Sequence, residues 1–84
     1  MAKKIAWSHQ AKADVRAIDR DTAIDLLHRL ARFLETEQGE VKRLQDIDPP
    51  EFRLRIGDYR LRYHDHCDSI EMLRVLHRKD AYRS

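Results

Sequence analysis

The sequence of 84 residues contains few residues that cross-link or break a chain: one cysteine, two glycines and two prolines. The single cysteine, Cys67, cannot form an internal disulfide, which favours a reducing compartment. No segment approaches the ~20 apolar residues that a membrane-spanning helix needs, and the first residues lack the apolar stretch of a signal peptide. We therefore expect a soluble, cytoplasmic protein with no membrane contact, folded as a single domain over residues 1–84.

The net charge of +2 is small, but it is unevenly distributed. Residues 1–50 carry nine basic and nine acidic side chains, so the excess lies in residues 51–84, which carry eight and six. In that second part the acids fall mostly in predicted turns and the arginines mostly in predicted strands. This arrangement predicts a concentrated cationic surface, which suits a polyanionic or acidic partner.

Two alternating segments on either side of Gly57-Asp58 predict a β-hairpin, because glycine supplies the positive φ of a tight turn. Successive side chains of a strand point to opposite faces, so one face receives arginines and the other apolar groups. The first set is Arg53, Arg55, Arg60 and Arg62, and the second is Phe52, Leu54, Ile56, Tyr59, Leu61 and Tyr63. Arginine keeps its charge and presents a planar fork of donors that suits phosphate oxygens. The alternative interpretation is an ordinary solvated sheet face, although such faces usually mix both signs of charge.

The rest of the chain predicts helices and strands around this hairpin. A short strand within residues 3–8 precedes a helix that starts at Ser8 or His9, and Asp21 is the predicted N-cap of a second helix, which Gly39 closes. After the hairpin, residues 64–68 predict a polar turn, and residues 70–76 predict a strand that is apolar on both faces, as a central strand would be. The order predicts an α+β fold, in which an N-terminal strand, a helical hairpin and a three-stranded meander form one antiparallel sheet covered by the helices.

The segment Arg53-Leu-Arg-Ile-Gly-Asp-Tyr-Arg-Leu-Arg-Tyr63, with the later Leu76-His-Arg-Lys-Asp-Ala-Tyr-Arg83, resembles the RelE branch of the RelE/ParE toxin superfamily. Lys42-Arg-Leu44 is similar to the family's Lys-x-Leu lead-in, and the resemblance covers nearly the whole chain. It implies the RelE-like microbial RNase fold and a toxin of a type II toxin–antitoxin system. Such a toxin cleaves mRNA codons in the ribosomal A site without a metal or other cofactor. Its expected partners are the ribosome, mRNA and a cognate antitoxin that silences it.

By position, the resemblance implies catalytic roles for several residues. Arg60 would contact the reacting phosphate, Arg78 would stabilise charge or protonate the leaving group, and Tyr82 would stack on or orient the nucleotide. Arg53 and Arg55 stand where the family has two lysines, one of them implicated in proton abstraction.

Arginine is a poor base because its pKa lies far above neutrality. His77 and His64 are therefore potential substitutes, since histidine alone titrates near neutral pH without perturbation. For each histidine, however, the pattern favours a structural or surface role over a catalytic one.

Basic residues outside this centre are expected to bind RNA phosphates, or only to keep the chain soluble. They are Lys42, Arg43, Arg62, Arg74, Lys79 and Arg83. An acidic or amphipathic antitoxin is expected to dock on the cationic face, or on apolar helix positions such as Leu26 and Leu30. The five histidines and Cys67 show no spacing typical of metal ligands, so the sequence predicts no metal site.

Two alternative functions remain open. A ParE-like protein would poison DNA gyrase by binding, without cleavage, and a weak member of the family would bind only RNA or its antitoxin. ParE-type chains usually lack the full set of basic residues and the terminal tyrosine, so Arg60, Arg78 and Tyr82 together favour the RelE branch.

Overall fold

Five strands form one sheet with two helices packed on one face in the computed structural model of the chain, which describes residues 4–44, 50–66 and 68–81. The elements in chain order are β1 (Lys4–Trp7), α1 (His9–Arg16), α2 (Arg20–Thr36), β2 (Glu40–Leu44), β3 (Glu51–Ile56), β4 (Tyr59–Asp65), β5 (Ser69–His77) and α3 (Arg78–Ala81). The strand order across the sheet is β1-β5-β4-β3-β2. This architecture confirms the predicted α+β class. None of the described helices is long and apolar enough to cross a membrane.

The sheet differs from the predicted one in strand number and in direction. It contains an additional edge strand, β2, which pairs antiparallel with β3. Most β2 side chains are exposed, so the strand lacks the apolar alternation by which a half-buried strand is recognised. The sheet is also mixed rather than antiparallel, because β1 runs parallel to β5. The four residues of β1 contain no pattern that indicates whether the strand pairs in parallel or antiparallel direction.

Helix α1 is fixed to β5 by hydrogen bonds near both of its ends. The helix starts at His9, one of the two predicted positions, and Ser8 is its N-cap. The Ser8 Oγ accepts from the Ala11 N–H at 3.0 Å, and the hydroxyl donates to the Leu73 carbonyl at 2.9 Å. Near the other end of α1, Asp14 Oδ2 accepts from the Val75 N–H at 2.9 Å. Helix α1 is therefore attached along the part of β5 that β1 leaves unpaired.

Both ends of α2 differ from the prediction by a few residues. The N-cap is Asp19, whose Oδ2 accepts from the Thr22 N–H at 3.1 Å, whereas Asp21 lies inside the first turn, where its negative charge favours the helix dipole. The helix ends before Gly39, because Glu37 already takes a left-handed conformation with φ 57°. Local hydrogen bonding thus selected the acidic residue two positions earlier in the sequence.

The core lies between α2 and the hairpin face predicted to be apolar. Leu54 and Leu61 of the hairpin are at most 1% exposed, and Leu26 and Leu30 of α2 are at most 3% exposed. The expectation that these two α2 leucines form a docking surface is therefore wrong, since both belong to the core. They turn inward because their spacing of four residues places them on the helix stripe that faces the sheet.

Strand β5 carries a β-bulge that changes which of its side chains face the helices. Arg74 pairs with Arg62, whereas Met72 pairs with the next residue of β4, which leaves Leu73 between the two pairs. One inserted residue reverses the alternation, so Met72 before it and Val75 after it are both buried. Two features therefore explain why the sequence of β5 is apolar at both odd and even positions. The strand lies in the interior of the sheet, and the bulge reverses the alternation partway along it.

Candidate nucleic-acid interface

The sheet face opposite the helices carries two neighbouring pairs of arginines. Arg53 lies opposite Arg62, and Arg55 lies opposite Arg60, across β3 and β4. Lys42 of β2 extends this row, because it lies opposite Arg53. We call these five residues the basic face. Like charges directly opposite each other destabilise an antiparallel pair, so the basic face gains stability from any bound polyanion.

Arg60 is oriented by the hairpin turn that precedes it. The residue is only 7% exposed, and its Nη1 donates to the carbonyls of Gly57 at 3.3 Å and Tyr59 at 3.1 Å. Gly57 has φ 56°, the conformation for which glycine is suited in this turn. Within the described residues no carboxylate pairs with Arg60, so its remaining N–H donors are not engaged by an acidic side chain there.

Arg78 is brought to the same turn by the end of β5. It follows β5 as the first residue of α3, and its backbone N–H donates to the Asp58 carbonyl at 2.7 Å. Its side chain is exposed and has no acidic partner among residues 4–44, 50–66 and 68–81. The structure thus brings Arg60 and Arg78, two of the predicted catalytic residues, to one hairpin turn.

Two arginines of the basic face form ion pairs that differ in distance and in burial. Arg62 Nε lies 2.5 Å from Oε2 of Glu51, which is only 5% exposed. Arg55 Nη1 lies 3.6 Å from Glu40 Oε2, and both side chains are more than half exposed, so this pair contributes little. Arg62 is therefore held in place by the fold, whereas Arg55 is easily recruited by another anion.

Arg74 is engaged with α1 rather than with the basic face. Its Nε and Nη2 donate to the two carboxylate oxygens of Asp14 at 2.8 and 3.2 Å. Burial acts to raise the pKa of Asp14, but the hydrogen bonds from Arg74 and from the Val75 N–H outweigh it and hold that pKa below its usual value of 3.8. This bidentate pair fixes α1 to β5 and occupies the Arg74 fork.

The remaining predicted phosphate ligands are dispersed. Arg43 lies opposite Phe52, which places it on the helix side of the sheet, away from the basic face. Lys79 is exposed in α3. Tyr82 and Arg83, predicted to orient the nucleotide and to bind RNA, lie outside the described residues.

His77 lies on the helix side of the sheet, as strand alternation predicts. It pairs with Tyr59, and the two rings meet edge to face with centroids 5.3 Å apart. Its Nδ1 accepts from the Lys79 N–H at 3.2 Å. In the neutral ring Nε2 therefore carries the proton, which leaves no lone pair for proton abstraction.

His64 shares the strand and the face of Arg60, but it stands four residues away, ~13 Å along β4. Its ring lies between two carboxylates: Nε2 is 3.7 Å from Glu51 Oε1, and Nδ1 is 3.4 Å from Glu71 Oε1. Hydrogen bonds from His66 and His64 lower the pKa of Glu71. The structure therefore separates His64 from the turn that carries Arg60 and Arg78.

The sequence predicts no metal-ligand set, yet the structure brings three potential ligands together. His64, His66 and Glu71 have ligand atoms that all lie within 4.8 Å of one another. The two histidines are separated by one residue, and Glu71 joins them only because β5 pairs with β4 in this register. The His-x-His spacing within the predicted polar turn was the available signal, and the pairing register of β4 with β5 was the missing information.

These features define the class of the protein as a small α+β domain with a cationic sheet face. Residues 5–82 match the family model described as the ParE toxin of type II toxin-antitoxin system, parDE. The chain therefore belongs to this toxin family, within the RelE/ParE superfamily predicted from the sequence. No curated protein matches the sequence.

Solved structures of other proteins share the fold, and three of them are toxin-antitoxin complexes. The RelB-RelE antitoxin-toxin complex from Methanococcus jannaschii is 18% identical with a TM-score of 0.71, over 92% of this chain and 94% of the other. The archaeal RelE-RelB complex from Pyrococcus horikoshii is 19% identical with a TM-score of 0.71, over 93% and 97%. The toxin-antitoxin complex RelBE2 from Mycobacterium tuberculosis is 22% identical with a TM-score of 0.67, over 92% and 99%. At these identities the likeness establishes the fold alone.

Proposed function

We propose that this toxin is an endoribonuclease that cleaves mRNA codons in the ribosomal A site and so inhibits translation in the cytoplasm. The observation that carries the proposal is the pairing of Arg53 with Arg62 and of Arg55 with Arg60, beside a turn that also holds Arg78. These arginines lie opposite one another in two pairs, an arrangement that the phosphates of an RNA backbone would stabilise.

The proposed reaction needs no metal, because the neighbouring 2′-hydroxyl of the RNA is the nucleophile. The hydroxyl proton must be removed, the charge that develops on the phosphate must be stabilised, and the leaving 5′-oxygen must be protonated. Arg60 suits the second task, since its guanidinium is oriented by two carbonyls and lacks a carboxylate partner among the described residues. Arg78 is assigned to charge stabilisation or leaving-group protonation, and Tyr82 to stacking on the nucleotide, by resemblance to the RelE branch.

Proton abstraction is the step of the proposed reaction for which the described residues near Arg60 offer no suitable general base. Arg53 and Arg55 stand at the family's lysine positions, and an arginine keeps its proton at neutral pH. His77 packs against Tyr59 on the other side of the sheet, and His64 is ~13 Å from Arg60 along the strand. We therefore propose that Arg53 and Arg55 act mainly on phosphate charge and that cleavage is slow.

The other basic residues divide into binding and positioning residues. Lys42 and Lys79 are exposed, so together with Arg43 and Arg83 we assign them to rRNA or mRNA phosphates. We assign positioning roles to Arg62 and Arg74, because their guanidiniums already bind Glu51 and Asp14, respectively.

The proposed protein partner is a cognate antitoxin. The similar solved structures are RelB–RelE complexes, and the basic face suits an acidic chain. Exposed Ile24 and Leu27 on α2, at 42% and 37%, replace Leu26 and Leu30 as the proposed apolar docking positions.

The experiment that tests cleavage is primer extension on a reporter mRNA translated in vitro, with purified antitoxin-free protein, in the presence and absence of ribosomes. Cuts within codons that depend on ribosomes would support the proposal. Lys12→Ala, which removes an exposed cation from α1 beside Trp7 and Leu27, is the matched control and should cleave like the parent protein. Absence of cuts by folded protein would contradict it.

A second candidate function is poisoning of DNA gyrase, and the matching family description, which names parDE, favours it. A supercoiling assay with purified gyrase distinguishes the two candidates, because a gyrase poison would inhibit supercoiling and leave mRNA intact. A protein inactive in both assays that still binds RNA or antitoxin would be the weak binding member of the family.

A further inference from the structure

We propose that His64, His66 and Glu71 form a binding site for a divalent transition-metal ion, with Zn²⁺ as the best fit. The Nδ1 atom of His64 and the Nε2 atom of His66 each lie 3.4 Å from Oε1 of Glu71. The two imidazoles thus converge on one carboxylate oxygen at the turn between β4 and β5. This site is separate from the proposed RNA site and does not depend on it.

The two distances match those between ligand atoms around a tetrahedral metal. Zinc binds histidine nitrogen at ~2.0–2.1 Å and carboxylate oxygen at ~2.0–2.2 Å, so neighbouring ligand atoms of a tetrahedral site lie about 3.4 Å apart. All three ligand atoms already lie within 4.8 Å of one another. Small side-chain rotations therefore suffice to place the ion, and a water molecule can take the fourth position.

An outer carboxylate supports this assignment. The other ring nitrogen of His64, Nε2, faces Glu51 Oε1 at 3.7 Å. Metal-binding histidines usually donate that second N–H to a carboxylate or carbonyl, which fixes the tautomer and the ring orientation. Glu51 is only 5% exposed and is itself held by Arg62. The fold thus orients His64 with Nδ1 toward the proposed ion.

The donor set also selects the class of ion. Two imidazoles and one carboxylate suit Zn²⁺ and its late first-row neighbours, whereas Mg²⁺ and Ca²⁺ prefer oxygen ligands only. The side chains of His66 and Glu71 are 47% and 46% exposed, so an ion can enter from solvent. Because the site lies ~13 Å along β4 from Arg60, the bound ion would join β4 to β5 and stabilise the sheet rather than take part in cleavage.

Calorimetric titration of the purified, tag-free chain with Zn²⁺, using Mg²⁺ as the negative control ion, tests the proposal. We expect one Zn²⁺ per chain, a rise in Tm with Zn²⁺ and none with Mg²⁺. His66→Ala and Glu71→Gln should each weaken Zn²⁺ binding at least ~10-fold and remove the rise in Tm. Both side chains are about half exposed, so these variants should fold, which circular dichroism checks. His28→Ala, an exposed histidine on α2, should bind Zn²⁺ like the parent.

Cobalt spectra and a cysteine variant provide independent tests. Co²⁺ should give the intense visible absorption of a tetrahedral site in the parent and in Cys67→Ser, and should lose it in His66→Ala. Equal Zn²⁺ affinity in His66→Ala, Glu71→Gln and His28→Ala would overturn the proposal. No binding by the parent would also overturn it, and the cluster would then be only a histidine–carboxylate ion-pair group. Loss of binding in Cys67→Ser with retention in His66→Ala would assign the ion elsewhere.

Discussion

The backbone N–H of Arg78 donates to the carbonyl of Asp58 at 2.7 Å, which joins the end of β5 to the β3–β4 turn. The same turn provides the Gly57 carbonyl that binds the Arg60 guanidinium. A residue of β4 and the first residue of α3 therefore share one turn. The Arg60 guanidinium is oriented there by the Gly57 and Tyr59 carbonyls, whereas Arg78 is held by its backbone and its exposed side chain extends into solvent.

Replacement of Arg60 should reduce cleavage more than it reduces stability. Arg60→Ala removes a charge that we assign to the reacting phosphate, so ribosome-dependent cleavage should fall at least ~100-fold. Arg60→Lys keeps the charge but loses the fork that binds two carbonyls, and it should also cleave poorly. Primer extension measures both variants against the Lys12→Ala control. Parent-like cleavage by folded Arg60→Ala would remove Arg60 from the site.

Arg78→Ala should lower cleavage by a similar factor and leave the free energy of unfolding nearly unchanged. The side chain is exposed, and the contact with Asp58 uses the backbone, which the substitution keeps. Urea unfolding and single-turnover cleavage separate the two quantities. A loss of stability as large as the loss of activity would indicate a structural role instead.

Lysine at positions 53 and 55 should accelerate cleavage, most clearly at alkaline pH. Lysine has a reference pKa near ~10.4, below that of arginine, so a larger fraction is available as a base. The Arg53→Lys/Arg55→Lys double variant keeps both charges and should show a cleavage rate that rises with pH more steeply than that of the parent. Identical pH–rate profiles would argue that neither position handles the proton.

Arg74→Ala should destabilise the fold by about 1–3 kcal/mol, because it leaves the Asp14 carboxylate, only 11% exposed, without its guanidinium partner. The measurement is urea unfolding. Arg32→Ala, which removes an exposed arginine of α2, is the control, and its free energy of unfolding should be close to that of the parent. An unfolding free energy unchanged by Arg74→Ala would show that the ion pair contributes nothing net.

Acidic pH should remove the contribution that the Asp14–Arg74 ion pair makes to the free energy of unfolding. The pKa of Asp14 is lower in the folded chain than its usual 3.8, so its contribution is complete above that pH and is lost as the pH falls through the folded value. In Asp14→Asn this component should be absent, and the difference in unfolding free energy between parent and variant should shrink below pH 3.8. A difference that stays constant across this range would contradict the linkage.

The β3–β4 hairpin was predictable because alternation and turn chemistry are local in sequence. The same alternation correctly separated the arginines from the core leucines Leu54 and Leu61. Strand β2 was missed because an exposed edge strand needs no apolar period, and the β5 bulge was invisible because one inserted residue leaves no compositional trace. The parallel pairing of β1 depends on contacts between the two ends of the chain.

The sequence predicts which arginines belong to the candidate site, but it does not predict which acidic residues pair with them. Sequence identifies which arginines share a face, but the partners of Arg62 and Arg74 come from other strands and helices, and only the tertiary structure reveals them. The convergence of His64 and Glu71 likewise depends on strand register, which periodicity does not encode.

The parallel pairing of β1 with β5 also constrains the order of events during synthesis. Residues 4–7 leave the ribosome well before their partners, residues 69–72, have been made. Contacts so distant along the chain form late, since a long loop must close before they stabilise anything. The edge of β5 that β1 covers therefore has no counterpart until residues 69–72 have been synthesised, and a newly made copy completes its sheet only after that point.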